Sequence, residues 1–128
     1  MIVRAAVADD VPAIVAQLAA IAEEGWILTE PPLDREARAA AVEAMLGDPS
    51  QAVLVAEEDG VPVGHAGMHT GPVAGVLWFG IGVDASRRRG GAGGALLDAV
   101  VAAARERGAH KLELEVWPEN ATAKPREA

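Results

Sequence analysis

The sequence predicts an α+β fold in which a small sheet is covered by helices. Apolar residues recur at helical spacing in some segments and form short runs bounded by Gly, Pro or Asp in others, which is typical of helices and strands, respectively. An Asp-Gly pair between two of the short runs predicts a hairpin. Since 128 residues have room for one core, we expect a single domain over residues 1–128.

The first half of the chain predicts one strand and two helices. A β-compatible run covers Ile2 to Ala6, and Asp9 and Asp10 follow as N-cap candidates. The apolar face of the first helix is predicted to consist of Val11, Ile14, Leu18 and Ile21. Asp34 is the expected cap of a second helix, which ends near Leu46 because Gly47 follows.

The second half predicts the remaining strands and a third helix. The runs Ala52 to Glu57 and Val61 to His69 flank Asp59-Gly60 and are expected to pair antiparallel. A buried strand is predicted from Val76 to Val83, with a bulge or a close backbone approach at Gly80 and Gly82. The last strand is predicted from Lys111 to Val116. The third helix precedes it and should bury a face made by Leu97, Val100, Val101 and Ala104.

The composition excludes several functional classes. No cysteine is present, which removes disulfides, thiolate nucleophiles and thiolate metal sites, and the three histidines lack any recognisable metal spacing. The formal net charge of −8 argues against a nucleic acid partner and favours a cationic substrate. The longest apolar run, Val76 to Val83, is far too short to cross a bilayer, so we expect a cytoplasmic protein with no membrane partner.

The sharpest feature is a glycine-rich turn between a predicted strand and a predicted helix. It runs from Val83 to Gly94 and contains three of the nine arginines of the chain. A helix start leaves N–H groups unpaired and carries partial positive charge, and glycines let a phosphate approach the main chain. The turn lacks the Gly-Lys-Ser/Thr of a P-loop, and Leu96 stands where a dinucleotide fingerprint needs Gly or Ala. We therefore expect it to bind one compact anion.

Residues Arg88-Arg89-Gly90-Gly91-Ala92-Gly93 resemble the pyrophosphate signature of the GNAT superfamily of N-acetyltransferases, which is Arg or Gln, two residues, Gly, one residue, and Gly or Ala. The order of predicted elements is similar to that family over nearly the whole chain. The resemblance implies a GNAT-like mixed, mostly antiparallel twisted sheet flanked by helices. It also implies transfer of an acetyl or other small acyl group from acetyl-CoA to a primary amine, by direct attack in a ternary complex.

The same resemblance implies a set of cofactor-binding residues. Main-chain groups near Ile81 and Val83 would pair with the pantetheine arm of coenzyme A in the manner of an added strand. Arg88 matches the basic position of the family, and Asn120 matches an asparagine beside the cofactor arm or is a plain turn residue. The pyrophosphate would be held by the main-chain N–H groups of Arg89, Gly90, Gly91, Ala92, Gly93 and Gly94.

Parts of the family pattern are missing from the sequence. No tyrosine is present to protonate the departing thiolate, and Lys124-Pro125 opposes the helix that would carry one, so we expect a C-terminally incomplete fold. The last predicted strand would then be an exposed edge, which a homodimer would cover. Trp78, Phe79 and Gly80 stand where the family often has a glutamate, so no catalytic residue is assigned.

Few residues are candidates for the acceptor side of the site. Trp26 and Glu30 lie in the segment between the first two helices, where the family often shapes its acceptor pocket, although a core tryptophan and a solvated acid are equally ordinary interpretations. His65 and His69 share one face of a strand, either as a base with a pKa near neutrality or as structural histidines. The acceptor stays open among an amino acid, an antibiotic, a polyamine and a protein N-terminus.

Two alternative functions also stay open. One is a non-catalytic acyl-CoA-binding module or a truncated enzyme remnant, because the tyrosine and the terminal strands are absent. The other is an interaction domain whose Arg-rich turn binds a different phosphate ligand.

Overall fold

The computed structural model of the chain describes residues 1–23, 34–70, 73–84 and 90–114. These residues form a five-stranded sheet with the order β1-β2-β3-β4-β5, in which β4 and β5 are parallel and the other neighbours are antiparallel. The predicted α+β class, with a mixed and mostly antiparallel sheet, is confirmed. The elements in chain order are β1 (Ile2–Ala5), a 3-10 turn (Ala8–Asp10), α1 (Val11–Glu23), α2 (Arg35–Leu46), β2 (Gln51–Glu58), β3 (Val61–Thr70), β4 (Val76–Val83), α3 (Ala92–Glu106) and β5 (Lys111–Leu114).

The predicted N-cap of α2 is present, whereas the predicted N-cap of α1 is replaced by other contacts. Asp34 caps α2, because its Oδ1 accepts a hydrogen bond of 3.0 Å from the Ala37 N–H. The carboxylate of Asp10 instead turns back from α1, where it accepts from the Val7 N–H at 2.8 Å and from the guanidinium of Arg4. A charged partner on β1 therefore takes the place of the expected cap, because charge-assisted hydrogen bonds are stronger than neutral ones.

The hairpin between β2 and β3 has the predicted turn. Asp59 and Gly60 adopt φ angles of 52° and 79°, which is the left-handed pair that a two-residue type I′ turn requires. The predicted bulge at Gly80 and Gly82 is wrong, since the β3–β4 register is continuous and the irregularity lies between Ala56 and Glu57. The predicted close approach is confirmed at Gly82, because a Cβ on Gly64 would lie 3.1 Å from its carbonyl oxygen, but not at Gly80, where a built Cβ meets no described atom within 4 Å.

Helices cover both faces of the sheet, and each covered face has its own core. On the α3 face, Leu96 and Val100 are fully buried against strand residues that include Met68 and Phe79. The face predicted for α3 is correct at Val100 and Ala104, which are buried, and wrong at Leu97, which is 41% exposed. Leu96 and Ala92 are the buried residues of the preceding turns. On the α1/α2 face, the core consists of Val11, Ile14, Val15 and Val42 packed against Val53 and Val55.

The end of α3 leads directly into β5 at the edge of the described sheet. Gly108 adopts a φ of 75° after the last helical turn, and the Ala109 N–H donates to the Ala104 carbonyl at 2.9 Å. The Gly75 carbonyl then accepts from the N–H groups of His110 and Lys111, at 2.8 and 3.2 Å. Across the described ranges, no helix combines the length and the apolar character that a membrane span needs.

Candidate functional site

The glycine turn places the start of α3 beside the carboxyl end of β4. Gly91 occupies the N-cap position with a φ of 90°, a left-handed conformation that strains any residue with a side chain. A Cβ on Gly93 would lie 3.8 Å from Cγ2 of Val83, the last residue of β4. Val83 also packs against the buried cluster that contains Ala92 and Leu96, so the strand end and the first turn of the helix are packed together.

The first turn of α3 offers main-chain donors at an exposed helix end. The Ala95 N–H donates to the Gly91 carbonyl at 3.0 Å, so the N–H groups of the three preceding residues lie before the first bond of the helix. Gly91 and Gly94 are exposed, and among the described residues no heavy atom lies within 4 Å of a Cβ built on either glycine. Room for a ligand and the positive end of the helix dipole thus coincide, which is the arrangement that binds phosphate groups.

Along β4, the N–H and C=O groups of successive residues point alternately towards β3 and towards β5. The Asp84 N–H donates to the Val63 carbonyl at 2.8 Å, which places the main-chain groups of Asp84 on the β3 side. Because this direction alternates along a strand, Gly82 also faces β3, whereas Ile81 and Val83 direct their N–H and C=O groups towards the β5 side. The β4–β5 pairing that the structure describes ends at Phe79 and Leu114.

Several predicted site residues come together in this region. Ile81, Val83 and the run Gly90 to Gly94 surround the junction of β4 and α3. Arg88, Arg89, Asn120, Trp26 and Glu30 lie outside the described residues, so their roles stay predictions. No group of three or more His, Asp or Glu side chains within the described ranges is arranged to hold a metal ion.

His65 is a buried histidine of the α1/α2 face. Its Nδ1 lies 2.7 Å from Oε1 of Gln17, and Nε2 of Gln17 donates to the Pro62 carbonyl at 3.2 Å. Since the amide nitrogen of Gln17 is committed to Pro62, its oxygen faces His65 and the imidazole carries its proton on Nδ1. Burial lowers the pKa of His65 to about 4. This contradicts a pKa near neutrality and confirms the structural interpretation for this histidine.

A pair of glycines and an aromatic side chain on the same face were missed as functional candidates. Gly67 and Gly80 are register partners across β3 and β4, and His69 and Trp78 form the neighbouring pair. Met45 of α2 contacts this face, since its Cε lies 3.5 Å from a Cβ built on Gly67. The sequence contains each residue, but only the strand register shows that the two glycines adjoin the tryptophan.

The mixed sheet, with β4 followed by Gly90, Gly91 and the start of α3, has the order of elements that the sequence resemblance implied for an N-acyltransferase. The sequence model described as the acetyltransferase (GNAT) family matches residues 15–125. The chain therefore belongs to this family, and it is a transferase of acyl groups.

Solved structures of other acetyltransferases share the fold. The ribosomal-protein-alanine N-acetyltransferase from Brucella melitensis is 30% identical with a TM-score of 0.82, over 96% of this chain and 78% of that one. The yncA protein from Salmonella typhimurium, solved with its cofactor acetyl-CoA, is 27% identical with a TM-score of 0.79, over 96% of this chain and 73% of that one. No curated protein sequence gives a significant match.

A third structure supports the fold alone. The N-acetyltransferase from Staphylococcus aureus Mu50 is 23% identical with a TM-score of 0.77, and the alignment covers 95% of this chain and 76% of that one.

Proposed function

We propose that this protein transfers an acetyl or other small acyl group from acetyl-CoA to a primary amine by direct attack in a ternary complex. The observation that carries the proposal is the packing of Val83 against the cluster that contains Ala92, which joins a strand end to an exposed helix start. Family membership and the yncA structure, which contains acetyl-CoA, support the choice of donor.

The pyrophosphate of the donor would be held at the start of α3. The N–H groups of Gly90, Gly91, Ala92, Gly93 and Gly94 lie there, and the helix dipole favours negative charge at this end. Arg88 and Arg89 precede the turn in the sequence and would add cationic charge beside the phosphates. Gly91 and Gly94 are exposed, which is compatible with a ligand at this helix end.

The pantetheine arm would lie along the carboxyl half of β4. Ile81 and Val83 direct their amide groups away from β3, so an amide-bearing arm can bond to them as an added strand would. Asn120 would contact the same arm. The N–H near Ile81 would then polarise the thioester carbonyl and stabilise the negative charge that develops on its oxygen.

The proposed reaction needs no covalent intermediate on the protein. The amine nitrogen forms a bond to the carbonyl carbon, the carbon–sulfur bond breaks, the nitrogen loses one proton and the departing thiolate gains one. The absence of cysteine from the sequence is compatible with direct transfer, since no thiol is required to carry the acyl group.

The net charge indicates the class of acceptor, and the position of β5 at a sheet edge indicates how the protein would assemble. The net charge of −8 favours a cationic amine, and the Brucella melitensis relative is named for acting on an alanine of a ribosomal protein, so small amines and protein N-termini are the proposed classes. Trp26 and Glu30 would contact the acceptor. A homodimer would cover β5, which lies at one edge of the described sheet, and we propose a cytoplasmic location.

Binding without turnover is the second candidate function. It is favoured by Trp78, Phe79 and Gly80, which provide no carboxylate at the strand positions where the sequence comparison expects a base, and by the lack of tyrosine. Both candidates require coenzyme A to bind, so they separate only when turnover is measured.

Two measurements on the whole chain test the proposal. Calorimetry should show saturable binding of coenzyme A that NAD and ATP do not displace. Incubation with acetyl-CoA and a broad panel of amines should release free thiol only when an accepted amine is present. Binding with no thiol release across the panel would select the binding module, and no binding of coenzyme A would refute both functions.

A further inference from the structure

We propose that Gly80 and Trp78 determine which amines this protein acetylates, by forming an opening on the α1/α2 face that admits an unhindered cationic amine. The inference rests on the proposed function and assigns the acceptor side of that site. Trp78 would contact the hydrocarbon and the ammonium group of the acceptor, and Gly80 would leave the space through which the amine reaches the acyl carbon.

The floor of the opening consists of two facing glycines. Gly67 of β3 and Gly80 of β4 are register partners, so both lack side chains on the face that α1 and α2 cover. No heavy atom of the described residues lies within 4 Å of a Cβ built on Gly80. The same test at Gly67 meets Cε of Met45 at 3.5 Å, so α2 covers Gly67. α1 contacts both β3 and β4, but none of its described atoms comes within 4 Å of a Cβ built on Gly80.

Trp78 forms one wall of the opening. It lies two residues before Gly80 on the same strand, hence on the same face, and it is half-buried. Its register partners are His69 on β3 and Glu113 on β5. A tryptophan beside a carboxylate attracts a cation through the ring face and through charge, and tryptophan is the most effective of the aromatic residues in this role.

The opposite wall adds no positive charge. His65 is the register partner of Gly82 and lies on the same face. Its Nδ1 is hydrogen-bonded to Oε1 of Gln17 at 2.7 Å. Burial lowers the pKa of His65 to about 4, so the imidazole is neutral near neutral pH and does not repel an ammonium group. The charged groups next to Trp78 include Glu113, whose carboxylate also pairs with Nζ of Lys111 at 2.9 Å.

The opening lies beside the proposed position of the acyl group. Gly80 immediately precedes Ile81, whose main-chain N–H would bond to the thioester oxygen, and consecutive residues of a strand are about 3.3 Å apart. An amine over Gly80 would therefore approach the acyl carbon from the face opposite the α3 core. A substituent that branches beside the nitrogen would collide with the indole of Trp78, so the proposed class is a primary amine on a methylene chain.

Filling the opening gives the sharpest test. Gly80→Leu meets no described atom at its Cβ and has no left-handed φ to strain, so the variant should fold. We expect it to lower kcat/KM for a diamine by at least about tenfold while the Kd for coenzyme A changes by less than about twofold. Gly47→Leu is the matched control, because Gly47 also has open space but lies at the end of α2, and it should leave both quantities unchanged.

A second variant, Trp78→Ala, tests the inference even if Gly80→Leu does not fold. Trp78→Ala should raise KM for the diamine more than it lowers kcat, and it should reduce the preference for the diamine over a neutral alkyl hydroxylamine, which lacks the cationic charge. The inference is wrong if the wild type binds coenzyme A and turns over the diamine, and if both variants have the same KM and the same preference for the diamine as the wild type. In that case the proposed function still stands. Failure of the wild type itself to bind coenzyme A would instead refute the proposed function.

Discussion

Val83, the last residue of β4, packs against the buried cluster that contains Ala92, the first residue of α3. A Cβ built on the next residue, Gly93, would lie 3.8 Å from Cγ2 of Val83. This contact brings two kinds of main-chain donor together, the strand amides that face the β5 side and the helix-start amides that carry the dipole. A ligand with an amide-bearing arm and a diphosphate would contact both at once.

A negative charge in the first turn of α3 should weaken the binding of coenzyme A. Gly94→Asp places a carboxylate beside the proposed pyrophosphate, in open space and without a left-handed φ, so it should fold normally. We expect Kd to rise by about tenfold or more, which calorimetry will measure. Gly91→Asp has the same electrostatic effect but adds backbone strain at a φ of 90°, so it is the less clean variant. Equal affinity of Gly94→Asp and wild type would contradict the site.

A side chain at Gly64 should destabilise the packing of α3. A Cβ there would lie 3.0 Å from Cδ1 of Leu96 and 3.1 Å from the Gly82 carbonyl oxygen, closer than side-chain carbons normally come. Gly64→Ala should lower the free energy of unfolding by about 1–3 kcal/mol, the usual cost of overpacking a core. Gly67→Ala is the control, since its nearest contact is an ordinary 3.5 Å and its effect should be smaller. Denaturant unfolding will compare the two, and an equal loss would contradict this account.

The ion pair between Arg4 and Asp10 should stabilise the entry to α1. Both carboxylate oxygens of Asp10 accept from Arg4, at 2.8 and 3.0 Å, and one also accepts from the Val7 N–H. Asp10→Ala leaves that N–H without its partner and should cost about 1–3 kcal/mol of unfolding free energy. Asp9→Ala, at an exposed position of the same turn, should cost much less. Similar losses for the two variants would show that the ion pair contributes nothing.

Asp10 and His65 both contribute to the pH dependence of stability, and their contributions have the same sign. The hydrogen bonds from Arg4 hold the pKa of Asp10 below its usual range, so this group stabilises the fold above its unfolded pKa and loses that effect as the pH falls. Burial lowers the pKa of His65 to about 4 from 6.5, so the unfolded chain binds the extra proton between these values and stability falls as the pH falls through this window.

Replacing His65 isolates its share of the pH dependence. His65→Gln should flatten the loss of unfolding free energy between about pH 6.5 and pH 4.5, a loss that at most reaches about 3 kcal/mol in the wild type. Urea unfolding at several pH values will measure it. In the folded wild type, the imidazole resonances of His65 should also keep the chemical shifts of the neutral ring down to about pH 5. A His65 that titrates near its ordinary pKa in the folded protein would contradict the burial argument.

The sequence predicted the turn and the helix cap correctly because each is formed by residues that are close together in the chain. The Asp59-Gly60 turn and the Asp34 cap depend on residues close in the chain, and both were found as expected. The α3 face was predicted correctly at Val100 and Ala104 but not at Leu97, because Leu96 and Leu97 can both begin an apolar stripe and only the sheet beneath decides which one is buried. The sequence left a bulge and a close approach open at Gly80 and Gly82, because a glycine indicates space above the backbone as readily as an extra residue in it.

The features of the candidate site also fall into those that the sequence predicted and those that only the structure shows. The helix-start donors could be predicted, because strand end, glycine turn and helix are consecutive in the sequence. The Gly67–Gly80 pair and the Gln17–His65 hydrogen bond could not, because each joins residues from different elements through strand register or packing. His65 was therefore open between two roles until its burial was known.

The most direct test of the central claim is a titration of the protein with coenzyme A, followed through the backbone amide resonances. The account predicts saturable shifts concentrated at Ile81, Val83 and the glycines from Gly90 to Gly94, with Gly91, Gly93 and Gly94 among the largest. Saturable shifts confined to other parts of the chain, or none at all, would contradict the assignment of the glycine turn as the phosphate site.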